Sequence, residues 1–260
     1  MDKKKPEQYN AASYSKNEYG HLDLEQKKGY SLLSAFGIVM LTITGEYVFR
    51  HFTMFWFPTI GNLNVNDMIS LLFAYILIVG GIGKARRINW RHEWVEIQQG
   101  LRYLVTSRSG TVWILVLILA FEGFGVVDKL FMAKYTLPMY LSPFRNSTVW
   151  LTGLAPILKV ISLLIVNGIY IPIAEEFLWH GLVQVYLTRV LNPILSISIV
   201  AILFSFKHVL VDASFGRFFA LIAFGAVCGI LAYQKSWQNS AALHMIINTI
   251  FTIAGLIMAK

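Results

Sequence analysis

The sequence has 260 residues, 56% of them hydrophobic and 14% charged, with a formal net charge of +8. A soluble domain carries about 25% charged residues, so this composition excludes an ordinary globular enzyme and leaves room for some six to eight membrane spans of about 20 residues each. The basic excess lies in loops beside apolar runs, where anionic lipid headgroups and the inward-positive bias account for it, so anionic lipid is an expected partner and nucleic acid is not.

Residues 1–29 are polar and contain no apolar core of a secretory signal, which predicts a mature cytoplasmic tail. The first span is expected over Tyr30 to about Phe49, with Glu46 as an interfacial or bundle-facing carboxylate. The aromatic, turn-rich stretch 51–66 reads as interfacial, and a second span follows from Asp67 to Gly83. In 84–108, Trp90, Trp94, Ile97, Leu101 and Leu104 recur at steps of four and three, with Arg87, Arg91, Gln98 and Arg102 elsewhere around the helix. That pattern predicts an amphipathic helix, 86–105, lying along the cytoplasmic surface with a solvated His92 on its polar side.

A third span is expected from Thr111 to Val127, with Glu122 a candidate to line the bundle interior, and a longer connection over 128–153. Pro172 is expected to separate a fourth span, Leu154 to Ile171, from a glutamate helix over 173–190. Asn192-Pro193 marks a tight break, followed by spans over Ile194–Val211, Ser214–Tyr233 and Ala241–Ala259, the last capped by Asn239 or Ser240. Cys228 is the single cysteine, which rules out an internal disulfide; in GAVCG it reads as a small side chain in a close helix contact.

The expected fold is all-α, a polytopic membrane bundle of about eight transmembrane helices with a polar intramembrane cavity. The tail 1–29 precedes N-terminal helices over 30–153 and C-terminal helices over 154–260. Six lysines in the tail and six arginines or lysines in 84–108, against Lys129, Lys134 and Arg145 in the 128–153 connection, predict cytoplasmic termini in a multi-pass protein of the bacterial plasma membrane.

The charges that need a reason are in the C-terminal part. Glu175 and Glu176 open an apolar helix, and an ionised group at membrane depth costs about 2.5–3.5 kcal/mol on insertion scales, so such groups are paired or functional. Neighbours three or four apart share a helix face, which puts Glu176 beside His180 and His244 beside Asn248. Glu175 points about 100 degrees away from Glu176, so the two carboxylates must serve different partners.

The spacing EEFLWH over 175–180, FSFKH over 204–208 and HMIIN over 244–248 resembles the CAAX-protease and bacteriocin-processing family of intramembrane proteases. The family pattern has arginine where this chain has His180, which lacks a fixed bidentate fork. The resemblance implies an intramembrane endopeptidase acting on membrane-associated, lipidated or bacteriocin- or pheromone-like peptides. Glu175 is then the base acting on water, His208 its partner at that water, His244 and Asn248 the oxyanion donors, and Glu176 with His180 a supporting pair. Burial and directed donors suit such a hydrolysis.

A divalent metal such as zinc stays open, with Glu175, His208 and His244 as candidate ligands. The partners expected are a peptide or protein substrate at the membrane and, as a second kind, a regulatory membrane protein. The alternative is a noncatalytic scaffold or immunity protein that binds a peptide or sensor, which the His180 departure keeps in view. A proton-coupled transporter is a further rival.

Overall fold

The computed structural model describes residues 33, 36–45, 65–138 and 156–258. The polar tail, Glu46, most of the stretch 51–66 and residues 139–153 of the 128–153 connection lie outside the described residues. In lipid every backbone N–H and C=O must be bonded within its own segment, so the apolar runs fold as helices. Among the described residues there are eight helices and no strand.

These are α1 (Phe36–Gly45), α2 (Val65–Ala85), α3 (Trp90–Thr106), α4 (Arg108–Val127, prolonged by a π turn to Met132), α5 (156–188), α6 (Pro193–Asp212), α7 (Phe218–Gln234) and α8 (Trp237–Met258). Within them, Arg108–Met132, Pro193–Leu210 and Trp237–Ile257 are long and apolar enough to cross a membrane, and shorter apolar helices run over Phe36–Gly45, Tyr75–Ala85 and Phe218–Gln234. The architecture is the expected all-α membrane bundle.

The main departure from expectation is α5. Pro172 does not break the chain: helix continues from Pro156 through π turns at Val166–Tyr170 and Trp179–Val183 to Thr188. The first π turn explains how. The Ile171 N–H bonds the Val166 carbonyl five residues back, so in this register residue 172 would bond the Asn167 carbonyl. Proline has no N–H to give. The orphaned carbonyl instead accepts from Asn248 Nδ2 of α8 at 3.0 Å. Close packing at the same turn needs glycine: a Cβ on Gly168 would lie 2.8 Å from Thr249 Oγ1.

Helix α3 forms where the apolar stripe predicts it. Asn89 caps its start by accepting from the His92 N–H, and Ile97 and Leu104 are buried as α3 packs against α8. Trp94, expected on the buried stripe, is 40% exposed. Helix α8 starts earlier than expected, at Trp237, and Ser236 Oγ rather than Asn239 or Ser240 caps it by accepting from the Asn239 N–H at 3.4 Å.

At the other end of the bundle, Asp128 is fully buried. Its two carboxylate oxygens accept from the Phe219 and Ala220 N–H groups at 2.9 and 2.8 Å, which places a negative charge on the N-terminus of α7. Glu122, expected to line the interior, is exposed. Helix α7 packs between α6 and α4, with Cys228 buried as a small side chain.

Candidate active site

Glu175 and Glu176 lie in the middle of α5, 2% and 1% exposed, and the helical rotation between them sends their carboxylates to different neighbours. On one side, Tyr75 of α2 donates its hydroxyl to Glu175 Oε1 at 3.1 Å. Lys207 of α6 forms an ion pair with the same oxygen and bonds the Tyr75 hydroxyl at 2.9 Å. His208, next in sequence, brings Nε2 to 3.7 Å from that oxygen, its ring held against Phe204 with centroids 4.8 Å apart.

On the other side, Glu176 receives α8. His244 Nδ1 is 2.8 Å from Oε1 and Ser240 Oγ is 2.6 Å from Oε2. The Ser240 hydroxyl is also 3.0 Å from the Cys228 carbonyl. The His180 Nε2 atom stands 3.7 Å from Glu176 Oε2.

Gln184 fixes the His180 tautomer. Its Nε2 donates to the Gly229 carbonyl at 2.8 Å, which turns Oε1 toward His180 Nδ1 at 2.7 Å. An amide oxygen only accepts, so Nδ1 carries the proton, and Nε2 carries one only in the imidazolium form. Gly229 permits this approach, since a Cβ there would lie 2.8 Å from Gln184 Oε1.

The structure therefore joins Glu175 with His208, and Glu176 with His180 and His244. Asn248 has one N–H bonded to the Asn167 carbonyl of the π turn at 3.0 Å, which leaves its second N–H as the donor it could offer beside His244. Sequence reasoning passed over Tyr75, Lys207, Ser240 and Gln184. Lys207 stood inside the quoted FSFKH; a lysine at membrane depth was itself the available signal. Tyr75, 100 residues from Glu175, carried none.

The metal candidates do not form a ligand set. His244 is bonded to Glu176 rather than facing Glu175, and the ammonium of Lys207 lies on Glu175, where it opposes a second cation. Among the described residues, no three His, Cys, Asp or Glu side chains converge to hold a metal ion.

A cavity of about 240 Å³ opens between the α2–α3 turn, α3, α5 and the α7–α8 junction. Arg86, Lys235, Glu93, Phe177, Trp237 and His180 are among its lining residues. Arg86 also lies 5.1 Å above the Tyr186 ring and Lys235 5.1 Å above Tyr103. Burial pushes the Glu93 carboxyl above its ordinary range, partly offset by the hydrogen bond from Gln238 and by His92. Of the residues expected in the site, His180 is the one on this cavity, so it stands between solvent-accessible space and Glu176.

An apolar helix bundle thus holds two buried, separately partnered carboxylates with histidines from three helices. Residues 157–250 match the family described as type II CAAX prenyl endopeptidase Rce1-like. The resemblance carried by EEFLWH, FSFKH and HMIIN is thereby borne out over that stretch, and at family level the match is to a CAAX-type protease of the membrane. No curated protein and no solved structure matches the chain.

Proposed function

We propose that this protein is an intramembrane endopeptidase that hydrolyses a peptide bond in membrane-associated, lipidated or bacteriocin- or pheromone-like peptides, with water activated by Glu175. The observation that carries the reading is the division between adjacent carboxylates: Glu175 lies 3.7 Å from His208 while Glu176 lies 2.8 Å from His244. In this reading the first acts on water and the second charges an imidazole.

In this reading Glu175 takes a proton from a water shared with His208, and the water oxygen bonds to the peptide carbonyl carbon. The carbonyl π electrons move to oxygen, and the oxyanion accepts from His244 Nε2 and from the second N–H of Asn248. Glu176, on His244 Nδ1, stabilises the imidazolium that donates there. As the C=O bond re-forms, the C–N bond breaks and the proton on Glu175 passes to the departing amine. No step is routed through a metal. The basic face of α3 rests on anionic headgroups on the cytoplasmic side of the cell membrane.

One observation favours the noncatalytic scaffold as a second reading: beside Glu176, where the family pattern has an arginine, stands the His180 imidazole at 3.7 Å, which lacks the bidentate fork. Purified protein in lipid, offered a fluorogenic peptide library with and without chelator, separates the two. Cleavage lost in Glu175→Gln and His208→Ala at unchanged folding supports the protease. No cleavage by wild type, with normal cellular function of Glu175→Gln, supports the scaffold. Chelator sensitivity would mean that Lys207 gives way to a metal.

A further inference from the structure

We infer that Lys207 and Tyr75 are positioning residues for Glu175, a two-donor clamp that sets an ammonium and a hydroxyl on its carboxylate and holds it turned toward His208; this rests on the protease reading above. Three observations carry it. Both donors meet the same atom: the Tyr75 hydroxyl and the Lys207 ammonium converge on Glu175 Oε1, and they also bond each other at 2.9 Å. All three groups are deeply buried, with Tyr75 1%, Glu175 2% and Lys207 3% exposed. Lys207 and His208 are consecutive on α6, so one helix delivers both the counter-charge and the imidazole to one carboxylate oxygen, the imidazole Nε2 standing at 3.7 Å.

The physical requirement is plain. A general base must be ionised before it can take a proton, and an apolar interior favours the neutral acid. An adjacent ammonium favours the charged form of a carboxylate. A closed triangle of hydrogen bonds fixes the carboxylate rotamer, which a single bond would leave free to turn. Tyr75 lies in α2, outside the stretch 157–250 that matches the protease family. The N-terminal half therefore contributes a group to the reaction centre as well as helices to the bundle. The charges and titratable groups gathered on Glu175 are Lys207 and His208 from α6 and Tyr75 from α2, with Glu176 its covalent neighbour.

The clamp predicts a split between kinetic constants. Lys207→Met should lower kcat by about 100-fold or more with KM nearly unchanged, because the lost interaction acts on the base and not on substrate. Its pH–rate profile should have an acid limb moved to higher pH, since a carboxylate without a neighbouring cation is protonated more readily. Tyr75→Phe should lower kcat about tenfold and move the limb in the same direction by less. Lys207→Arg, which keeps the charge, should restore the limb and part of the rate.

An infrared pH titration gives a readout independent of turnover. Lys207→Met should show a protonated-carboxyl band at a pH where wild type shows none, and the band should vanish in Lys207→Met/Glu175→Gln. Tyr75→Phe, close in shape to tyrosine, keeps the test open if Lys207→Met unfolds. Full activity of Glu175→Gln would overturn the protease reading. Loss of activity in Glu175→Gln, with unshifted acid limbs and no new infrared band in Lys207→Met and Tyr75→Phe, would overturn the clamp alone.

Discussion

Glu175 and Glu176 are covalent neighbours with nearly equal burial, yet their surroundings differ in kind. Glu175 is met by an ammonium, a phenol and a nearby imidazole drawn from α2 and α6. Glu176 is met by a hydroxyl and imidazoles from α8 and its own helix. The first set includes the ammonium of Lys207. The second supplies groups that can hold or release protons without a permanent counter-charge. One helical step is enough to give two adjacent carboxylates separate sets of partners.

The sharpest way to break the comparison is to neutralise each carboxylate in turn. Glu175→Gln should reduce peptide cleavage by about 1,000-fold or more while leaving thermal unfolding close to wild type, because Gln keeps the shape and an acceptor for Tyr75. Glu176→Ala should behave in the opposite sense. It strips the acceptor from Ser240 and His244 at once, and should cost about 3–5 kcal/mol in chemical denaturation. Equal effects of the two variants on both readouts would erase the distinction.

Next in size is the π turn that shapes α5 upstream of both carboxylates. Asn248→Ala leaves the Asn167 carbonyl without a donor, at a cost of about 1–3 kcal/mol. Adding Pro172→Ala supplies the missing N–H, so the double variant should recover part of that loss. A double variant less stable than Asn248→Ala would contradict this account of the helix. Asp128→Ala should cost a similar amount by uncovering two N–H groups at the start of α7, without moving the pH optimum of cleavage.

The smallest effect concerns Glu93. Burial raises its carboxyl above the unfolded value, so the folded state holds the proton more tightly than the unfolded one. That contribution is present below the unfolded pKa and is lost as pH rises through the folded one. Unfolding midpoints measured across this window should fall slightly with pH in wild type and less in Glu93→Gln, which keeps an oxygen for Gln238.

Apolar periodicity made much of this architecture legible. The 3.6-residue repeat over Trp90–Thr106 and the Asn192-Pro193 start of α6 are local signals, and they appear where the pattern puts them. Pro172 was misleading because proline normally removes a bond from an i→i−4 ladder. Here the ladder has already changed register, and the donor comes from α8, 76 positions away in sequence. Glu175, Glu176, His208 and His244 could be found because charge in an apolar run is conspicuous. Lys207 was just as conspicuous. Tyr75 was not, since a tyrosine in an apolar helix gives no sign of where its hydroxyl ends.

His180 tests whether the Glu176 side responds to protonation. Its Nδ1 proton is fixed by Gln184, and Nε2 faces Glu176 from the wall of a solvent-accessible cavity. Replacing it with a permanent cation in His180→Arg should change the pH profile of kcat with little change in KM. An unchanged profile would leave His180 as packing only.

The central claim is that Glu175 activates the water that cleaves the peptide. Cleavage run in water enriched in the heavy oxygen isotope, with mass analysis of the new carboxyl terminus, tests it most directly. Wild type should place one heavy oxygen in each newly formed carboxylate, and Glu175→Gln should form none of that product above background. Labelled product from Glu175→Gln at the wild-type rate would contradict the account.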